Sequence, residues 1–432
     1  MRSIKELSNM GENIKHIVVV GGGFAGINFI KSICDDKRYH ITLVDINNYN
    51  FFPPLIYQVA TAFIEPSNIS MPFRRMFYKN NNVYFHLGTL KQIDSDSRKI
   101  ITDNGSLSYD YLVLAVGTES NYFGLENVKD NAYPMKTVSE ALGIRNKLLL
   151  NMEEFIRYQG TPEGEGYLNI VIAGGGPSGV EIAGMVAELG QRIIKKEYPE
   201  IKDFSAHIYL VDAAKTLLGP MSSLAQEEAK RVLEKLGVKV ILDVAVKDYV
   251  DEHVILSNDV RIKTKTLIWT SGVTGRELPG LPTTVITRGR RVLVNEYNAV
   301  QGFDNIFALG DICYQTSDPN YPNGHPQLAQ VAIQQGILLA KNLKSRDAKD
   351  TLKPFSYVNK GSMAVISRYN AVADLPSFSF KGFFAWLTWL IIHLFPIAGF
   401  RNKWKLLGNW MYAFFSTNST LRLIIKGVTK KV

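Results

Sequence analysis

The chain has 432 residues, 46% hydrophobic and 21% charged, which excludes disordered and fibrous classes and suggests about three domains. Its two cysteines, Cys34 and Cys313, are too few for a disulfide framework or a cysteine-rich zinc site, so no metal is expected, and no C-x-x-C redox pair is present. The net charge of +9 is uneven: no acid follows Asp374, and the last 58 residues carry +8 with 13 of the 47 aromatics and four of the five tryptophans.

The first 15 residues are polar and mixed in charge, with no apolar run behind them, so no secretory leader and a reducing cytoplasm are expected. Residues 16–20 read as a strand and run into Gly21-Gly-Gly-Phe-Ala-Gly26. A helix to about Cys34 and a second strand, 41–44, ending in Asp45, complete a βαβ unit. Residues 111–118 read as a buried strand entering a turn at Gly117-Thr118. A second βαβ unit follows: strand 169–173, turn Gly174-Gly-Gly-Pro-Ser-Gly179, a long helix to about Lys196, and strand 207–211 ending in Asp212. Residues 266–272 repeat the buried strand and turn, and strand 305–309 ends in Gly310-Asp311. The expected class is α/β. Two Rossmann-like domains run 1–125 plus 296–355 and, inserted between them, 126–295, before an amphipathic C-terminal anchoring region, 356–432.

In G-x-G-x-x-G the first glycine permits the tight turn, the second lets the backbone approach a pyrophosphate, and the third lets helix and strand pack closely. The helix N-terminus supplies N–H groups and partial positive charge, and the strand-end acid accepts ribose hydroxyls. Gly21, Gly23 and Gly26 with Asp45 form one such set, and Gly174, Gly176 and Gly179 with Asp212 the other. By order, the N-terminal set completed by Asp311 suits non-covalent FAD, and the inserted set suits NADH. The Asp212 charge would repel a 2′-phosphate, although Lys215 stands nearby.

The constellation resembles the two-dinucleotide-domain flavoproteins, and nearly the whole chain resembles the type II NADH dehydrogenases, single-subunit NADH:quinone oxidoreductases that pump no protons. Four stretches carry the resemblance: Asn48-Tyr-Asn-Phe-Phe-Pro-Pro-Leu-Ile-Tyr-Gln-Val-Ala-Thr61, Gly174 to Glu181, Ala329-Gln-Val-Ala-Ile-Gln-Gln-Gly336, and the tail with Trp386, Trp389, His393 and Gly399-Phe-Arg-Asn402. Asn50 stands where the family often has His. The resemblance implies FAD contacts at Phe24, Ala25, Val59, Gly117, Ala332, Ile333 and Lys381 besides the first glycine set. It places Glu181 at the nicotinamide–flavin junction, while Glu188 reads as structural. Gln330 and Gln334, four apart on one helix face among small and apolar neighbours, are expected to bond a quinone carbonyl.

Residues 383–400 hold no charge over 18 positions, about 27 Å of helix against a bilayer core of about 30 Å. Thr388, His393, Pro396 and Gly399 interrupt them, so an in-plane segment is preferred to a spanning one. In helical register Trp404, Leu407, Met411, Phe414 and Phe415 share one face opposite Lys405, Asn409, Tyr412 and Ser416; Leu421, Ile424 and Ile425 beside Arg422 and Lys426 repeat the pattern. The expected partners are NADH, a membrane quinone and the lipid surface at the cytoplasmic face of the cell membrane, bound peripherally, and no nucleic acid. The rival reading of the tail is a core-packing or dimer-forming helix pair, which keeps a homodimer among the partners. The rival function is a soluble NADH-dependent flavoprotein reductase of another small acceptor.

Overall fold

Each glycine turn sits at the carboxyl end of a strand buried on both faces, the continuous apolar run that a covered parallel sheet requires. The computed structural model describes residues 14–191, 197–201, 206–415 and 422–425. The chain forms two compact units. The first holds residues 1–50, 71–119 and 273–359, and the second 51–70, 120–272 and 360–432.

The first unit is built on a five-stranded parallel sheet in the order Ile306–Ala308, Tyr111–Leu114, Lys15–Val20, Tyr39–Asp45, Val83–Leu87. The strand leading into the glycine turn is central, so its carboxyl end lies where neighbouring connections diverge, the usual ligand position in such sheets. On one face the helix Phe24–Ile33 packs against the helix Ala329–Asp347. They approach so closely that a Cβ at Gly336 would lie 2.4 Å from the Ala25 carbonyl oxygen, so the last glycine of the glutamine-rich motif is a packing requirement. The antiparallel strands Leu90–Asp94, Lys99–Thr102 and Gly105–Ser108 complete this unit.

The second unit repeats the plan with the parallel order Tyr133–Pro134, Thr266–Trp269, Asn169–Ala173, His207–Val211, Val238–Ile241. Its glycine-turn helix is Pro177–Leu189. The expected extension to Lys196 lies partly outside the described residues, since 192–196 are not among them. The antiparallel strands Ser362–Ser367, Asn370–Asp374 and Ser379–Gly382 pack on this helix and on Ser223–Lys235.

The packing boundaries differ from those drawn on the sequence. The second unit spans 120–272 rather than 126–295, and it also takes 51–70 and the tail. Segment 51–70 joins it because the short helix Ile56–Ala60, buried at every position, packs on Val138–Arg157 and Pro177–Leu189. Asn402 Nδ2 also donates to the Ser70 carbonyl at 2.9 Å. A 3.6-residue period reports that a face is apolar, and says nothing of which distant helix will cover it.

The tail forms two helices, Phe383–Leu394 and Phe400–Phe415. Pro396 and Gly399, the latter at φ +84°, fall in the break between them. Among the described residues no helix is long and apolar enough to cross a membrane. Residues 422–425 are not helical, and Arg422 forms a two-point ion pair with Glu197 there, so the repeat of the amphipathic pattern around Ile424 and Ile425 does not materialise as a helix. Leu421 and Lys426 lie outside the described residues.

Candidate nucleotide and electron-transfer site

In the first turn Gly21 takes φ +105°, and a Cβ on it would lie 2.2 Å from the Ala115 carbonyl oxygen. A Cβ at Gly26 would lie 2.0 Å from the Gly21 carbonyl oxygen, whereas one at Gly23 would meet nothing within 4 Å. The first and third glycines are thus demanded by the protein itself, and the second keeps open the space that a pyrophosphate needs. No side chain caps the helix that starts at Phe24, so its first-turn N–H groups suit an anion. Asp45 Oδ2 accepts from the Gly22 N–H at 2.6 Å and Oδ1 from the Asn47 N–H at 2.7 Å. Burial raises the Asp45 pKa, and the two N–H groups oppose it. Asn50 Nδ2 donates to the Gly22 carbonyl at 2.8 Å, so the residue that departs from the family pattern braces the turn.

Asp311 is held in the same unit. Its carboxylate accepts from Thr118 Oγ1 at 3.2 Å and its carbonyl from Gln327 Nε2 at 2.9 Å. A Cβ at Gly310 would lie 3.3 Å from the Ala332 Cβ and 3.4 Å from the Ala25 Cβ, so these three sequence-selected positions converge. Gly117 takes φ +68°, and Ile333 is half-buried. The donor set, the open second glycine and the strand-end acid together fit the pyrophosphate and ribose of a dinucleotide.

Sequence reading overlooked Gln335. It is 1% exposed, its Oε1 accepts from the Gly310 N–H at 2.7 Å, and its Nε2 donates to Cys313 Sγ at 3.3 Å. The second glutamine of a Gln-Gln pair in a helix points a quarter-turn from the first, which was the available signal. Burial lifts the Cys313 thiol to about 11, and Cys34 is also buried with a raised pKa, so neither is a ready thiolate. Gln330 Oε1 accepts from the Tyr357 hydroxyl at 3.3 Å. Gln334 gives both amide groups to Val358, donating to its carbonyl at 2.9 Å and accepting from its N–H at 3.1 Å. The two glutamines thus share a face, as expected, but Gln334 holds segment 355–358.

The second turn has the same construction. Gly174 takes φ +112°, a Cβ at Gly179 would lie 1.7 Å from the Gly174 carbonyl oxygen, and Gly176 faces open space. Asp212 Oδ2 accepts from the Gly175 N–H and Oδ1 from the Ala214 N–H at 2.6 Å. Glu181, 8% exposed on the adjoining helix, has its pKa pushed well up by burial, with the Val365 N–H opposing. Glu188 Oε1 accepts the Arg368 N–H at 2.8 Å, the structural part expected of it.

Val59 and Lys381 both fall in the second unit. Val59 is fully buried, and Lys381 Nζ pairs with the buried Glu228 carboxylate at 2.9 Å. A further group absent from the sequence reading surrounds Tyr57, which is 1% exposed. Gln58 Nε2 donates to its hydroxyl at 3.1 Å, and Trp410 Nε1 donates to Gln58 Oε1 at 2.9 Å. Nothing in the spacing of residues 57 and 410 could have paired them.

On the tail, Leu406 and Trp410 form the buried face of the second helix, while Trp404 and Met411 are exposed together as expected. Tyr412, on the other side, is exposed as well. Phe384, Ile391, Phe395 and Phe400 are further exposed apolar residues of the tail. Burial holds His393, stacked on Trp389 at 4.2 Å, down near about 4, so it adds no charge at neutral pH.

A fold of two repeated dinucleotide turns, each with its own acid, defines the pyridine nucleotide-disulphide oxidoreductase class, whose family model matches residues 15–336. The NDH2 C-terminal domain model matches residues 359–417. The chain is 33% identical over 419 residues to the type II NADH:quinone oxidoreductase Ndh of Mycobacterium tuberculosis, covering 93% of this chain and 88% of that one. It is 28% identical to the mitochondrial internal alternative NAD(P)H-ubiquinone oxidoreductase A1 of Arabidopsis thaliana, over 92% of this chain and 84% of that one. The structure of NDH2 from Plasmodium falciparum in complex with NADH superposes with a TM-score of 0.87 at 22% identity, covering 95% of this chain and 100% of that one. The chain belongs to the type II NADH dehydrogenase family.

Proposed function

We propose that this protein oxidises NADH and reduces a membrane quinone, with FAD between them and no coupled proton pumping. The observation that carries the reading is the pair of dinucleotide turns of like geometry joined to a tail that matches the NDH2 C-terminal domain. FAD, the cofactor of this family, would lie on Gly21, Gly23, Phe24, Ala25 and Gly26, with Asp45 toward the ribose and Asp311 toward the ribityl arm. When bound, the flavin would supply a two-electron carrier between NADH and a quinone. The segments 1–125 and 296–355 act as the FAD part and 126–295 as the NADH part. NADH lies on Gly174, Gly176 and Gly179, where the Asp212 carboxylate accepts ribose hydroxyls and disfavours a 2′-phosphate. Glu181, kept neutral more readily than an exposed acid, offers a proton-holding carboxyl for the nicotinamide side.

Gln330 orients the quinone carbonyl, and Gln334 contributes by fixing segment 355–358 against the same helix. Ala332 and Ile333 would lie beside the flavin where negative charge grows on reduction, with the helix N-terminus at Ala329 supplying the positive potential, since the Ala332 N–H itself donates to the Leu328 carbonyl at 3.1 Å. Val59 and Lys381 stand as further FAD contacts. The exposed Phe384, Ile391, Phe395, Phe400, Trp404 and Met411 dock on the lipid at the cytoplasmic face of the cell membrane, with Arg401, Lys403 and Lys405 toward the headgroups.

Purified protein assayed in liposomes tests the reading. It should be yellow, release FAD on denaturation, and oxidise NADH in proportion to the quinone supplied. Gln330→Ala should slow reoxidation of the flavin by quinone and leave its reduction by NADH near the parent rate. Release of FMN, or turnover indifferent to quinone, would defeat the proposal.

A further inference from the structure

Trp410 is 1% exposed on a helix whose other positions Phe400, Trp404 and Met411 stand open. Its indole bonds Gln58 Oε1 at 2.9 Å, and Gln58 Nε2 bonds the Tyr57 hydroxyl at 3.1 Å. An indole N–H donates and cannot accept, so chemistry alone decides which end of the Gln58 amide faces Trp410. The oxygen must face the indole, which leaves the NH2 to face Tyr57. The Tyr57 oxygen therefore accepts, and its own proton has to be donated elsewhere.

Tyr57 lies on the helix Ile56–Ala60, packed on the helix that carries Glu181, Pro177–Leu189. Burial keeps the phenol neutral, and Glu181, were it ionised, would push the same way. A buried hydroxyl with one lone pair already engaged favours whatever acceptor it can reach, directly or through one water.

We infer that Trp410 is a positioning residue: its donor-only indole imposes one direction on the series Trp410, Gln58, Tyr57, so that the Tyr57 hydroxyl donates toward the Glu181 carboxyl. Without the indole N–H, the Gln58 amide can turn over, and Tyr57 can donate to it instead of toward Glu181. The helix proposed to rest on the lipid thereby sets a hydrogen bond beside the buried acid. The inference rests on the reading of Glu181 as a residue of the NADH side.

The test uses the holoenzyme with Trp410→Phe, which keeps a ring in the buried face, and Tyr57→Phe. Rapid mixing with NADH should show flavin reduction slowed about tenfold in each, with the NADH Kd within about twofold of the parent. The double variant should be no slower than Tyr57→Phe alone, because both break one series. A second readout needs no NADH: the infrared carboxyl band that vanishes in Glu181→Gln should move in Trp410→Phe and in Tyr57→Phe. A Trp410→Phe protein that melts like the parent and keeps both rate and band overturns the inference, and so does strict additivity of the two variants. If Trp410→Phe does not fold, Gln58→Met breaks the same series with an unbranched chain and is read the same way. If Glu181→Gln leaves flavin reduction unchanged, the functional reading of Glu181 fails. The band then decides alone: movement supports the positioning role and no movement overturns it.

Discussion

The two glycine turns are nearly superimposable in logic and differ in how they are closed. Each has a first glycine at positive φ, a third glycine against the first one's carbonyl, and an acid that receives two main-chain N–H groups. The first turn is then closed by Gly310-Asp311, with Ala25, Ala332 and Gln335 around it. Beside the second, the following helix carries a buried carboxyl, Glu181, and Leu218 N–H donates to the Gly175 carbonyl at 2.9 Å. The same turn is therefore built twice, and what differs is its surroundings: the Gly310-Asp311 loop at the first and a buried carboxyl at the second.

The largest effects should come from filling the third glycines. Gly26→Ala and Gly179→Ala place a Cβ 2.0 Å and 1.7 Å from a carbonyl oxygen, an overpacking of about 3 kcal/mol or more unless the turn opens. Gly26→Ala should yield protein with little flavin absorbance. Gly179→Ala should stay yellow and lose NADH-dependent bleaching while still reducible by dithionite. The reverse pattern would exchange the nucleotide assignments.

Gln335→Leu removes the acceptor of the buried Gly310 N–H, a loss of about 1–3 kcal/mol. FAD dissociation, followed by flavin fluorescence on dilution, should speed up by about tenfold or more, and NADH affinity should not move. Equal loss at both nucleotides would mean that the closure is not specific to the first turn.

The two units should also respond oppositely to acid. In the first, burial would raise Asp318, but hydrogen bonds from His325, from the Asn320 and Tyr357 N–H groups and from Ser356 outweigh it and hold the carboxyl near about 2. An unfolded aspartate titrates near about 3.9. Its contribution, about 2 kcal/mol, is therefore complete above about pH 4 and lost as pH falls toward 2. Asp318→Asn should lower stability at pH 7 and converge with the parent near pH 2. Glu181 has the opposite sign, because its raised pKa makes burial costly as pH rises above the unfolded value of about 4.3. Glu181→Gln should therefore be more stable than the parent at neutral pH and gain nothing in acid. Chemical denaturation across pH checks both.

The smallest effect concerns the second turn's acid. Asp212→Asn removes the negative charge and keeps one amide oxygen, which can accept from the Gly175 or the Ala214 N–H but not from both. Discrimination between NADH and NADPH, measured as the ratio of kcat/KM values, should shrink by about tenfold, or about 1.4 kcal/mol. An unchanged ratio would move cofactor choice to another residue.

By itself the sequence determined both glycine turns, their acids, the repeated parallel sheets and the interrupted apolar tail. Those signals are local: a strand, a turn and a helix declare themselves within about 30 residues because backbone geometry and side-chain period act at short range. The glutamine-rich motif was legible as one helix with Gln330 and Gln334 on a common face, but not the separate partners of Gln330, Gln334 and Gln335, since a helical face acquires partners only when its neighbour is known. Tertiary structure alone decided that segment 51–70 and the tail join the second unit, that Gln335 holds Gly310, that Lys381 pairs with Glu228, and that Trp410 reaches Gln58. Each of these joins residues far apart in the chain. Such contacts form where burial leaves a polar atom one available partner, and that condition exists only after the helices and sheets have packed.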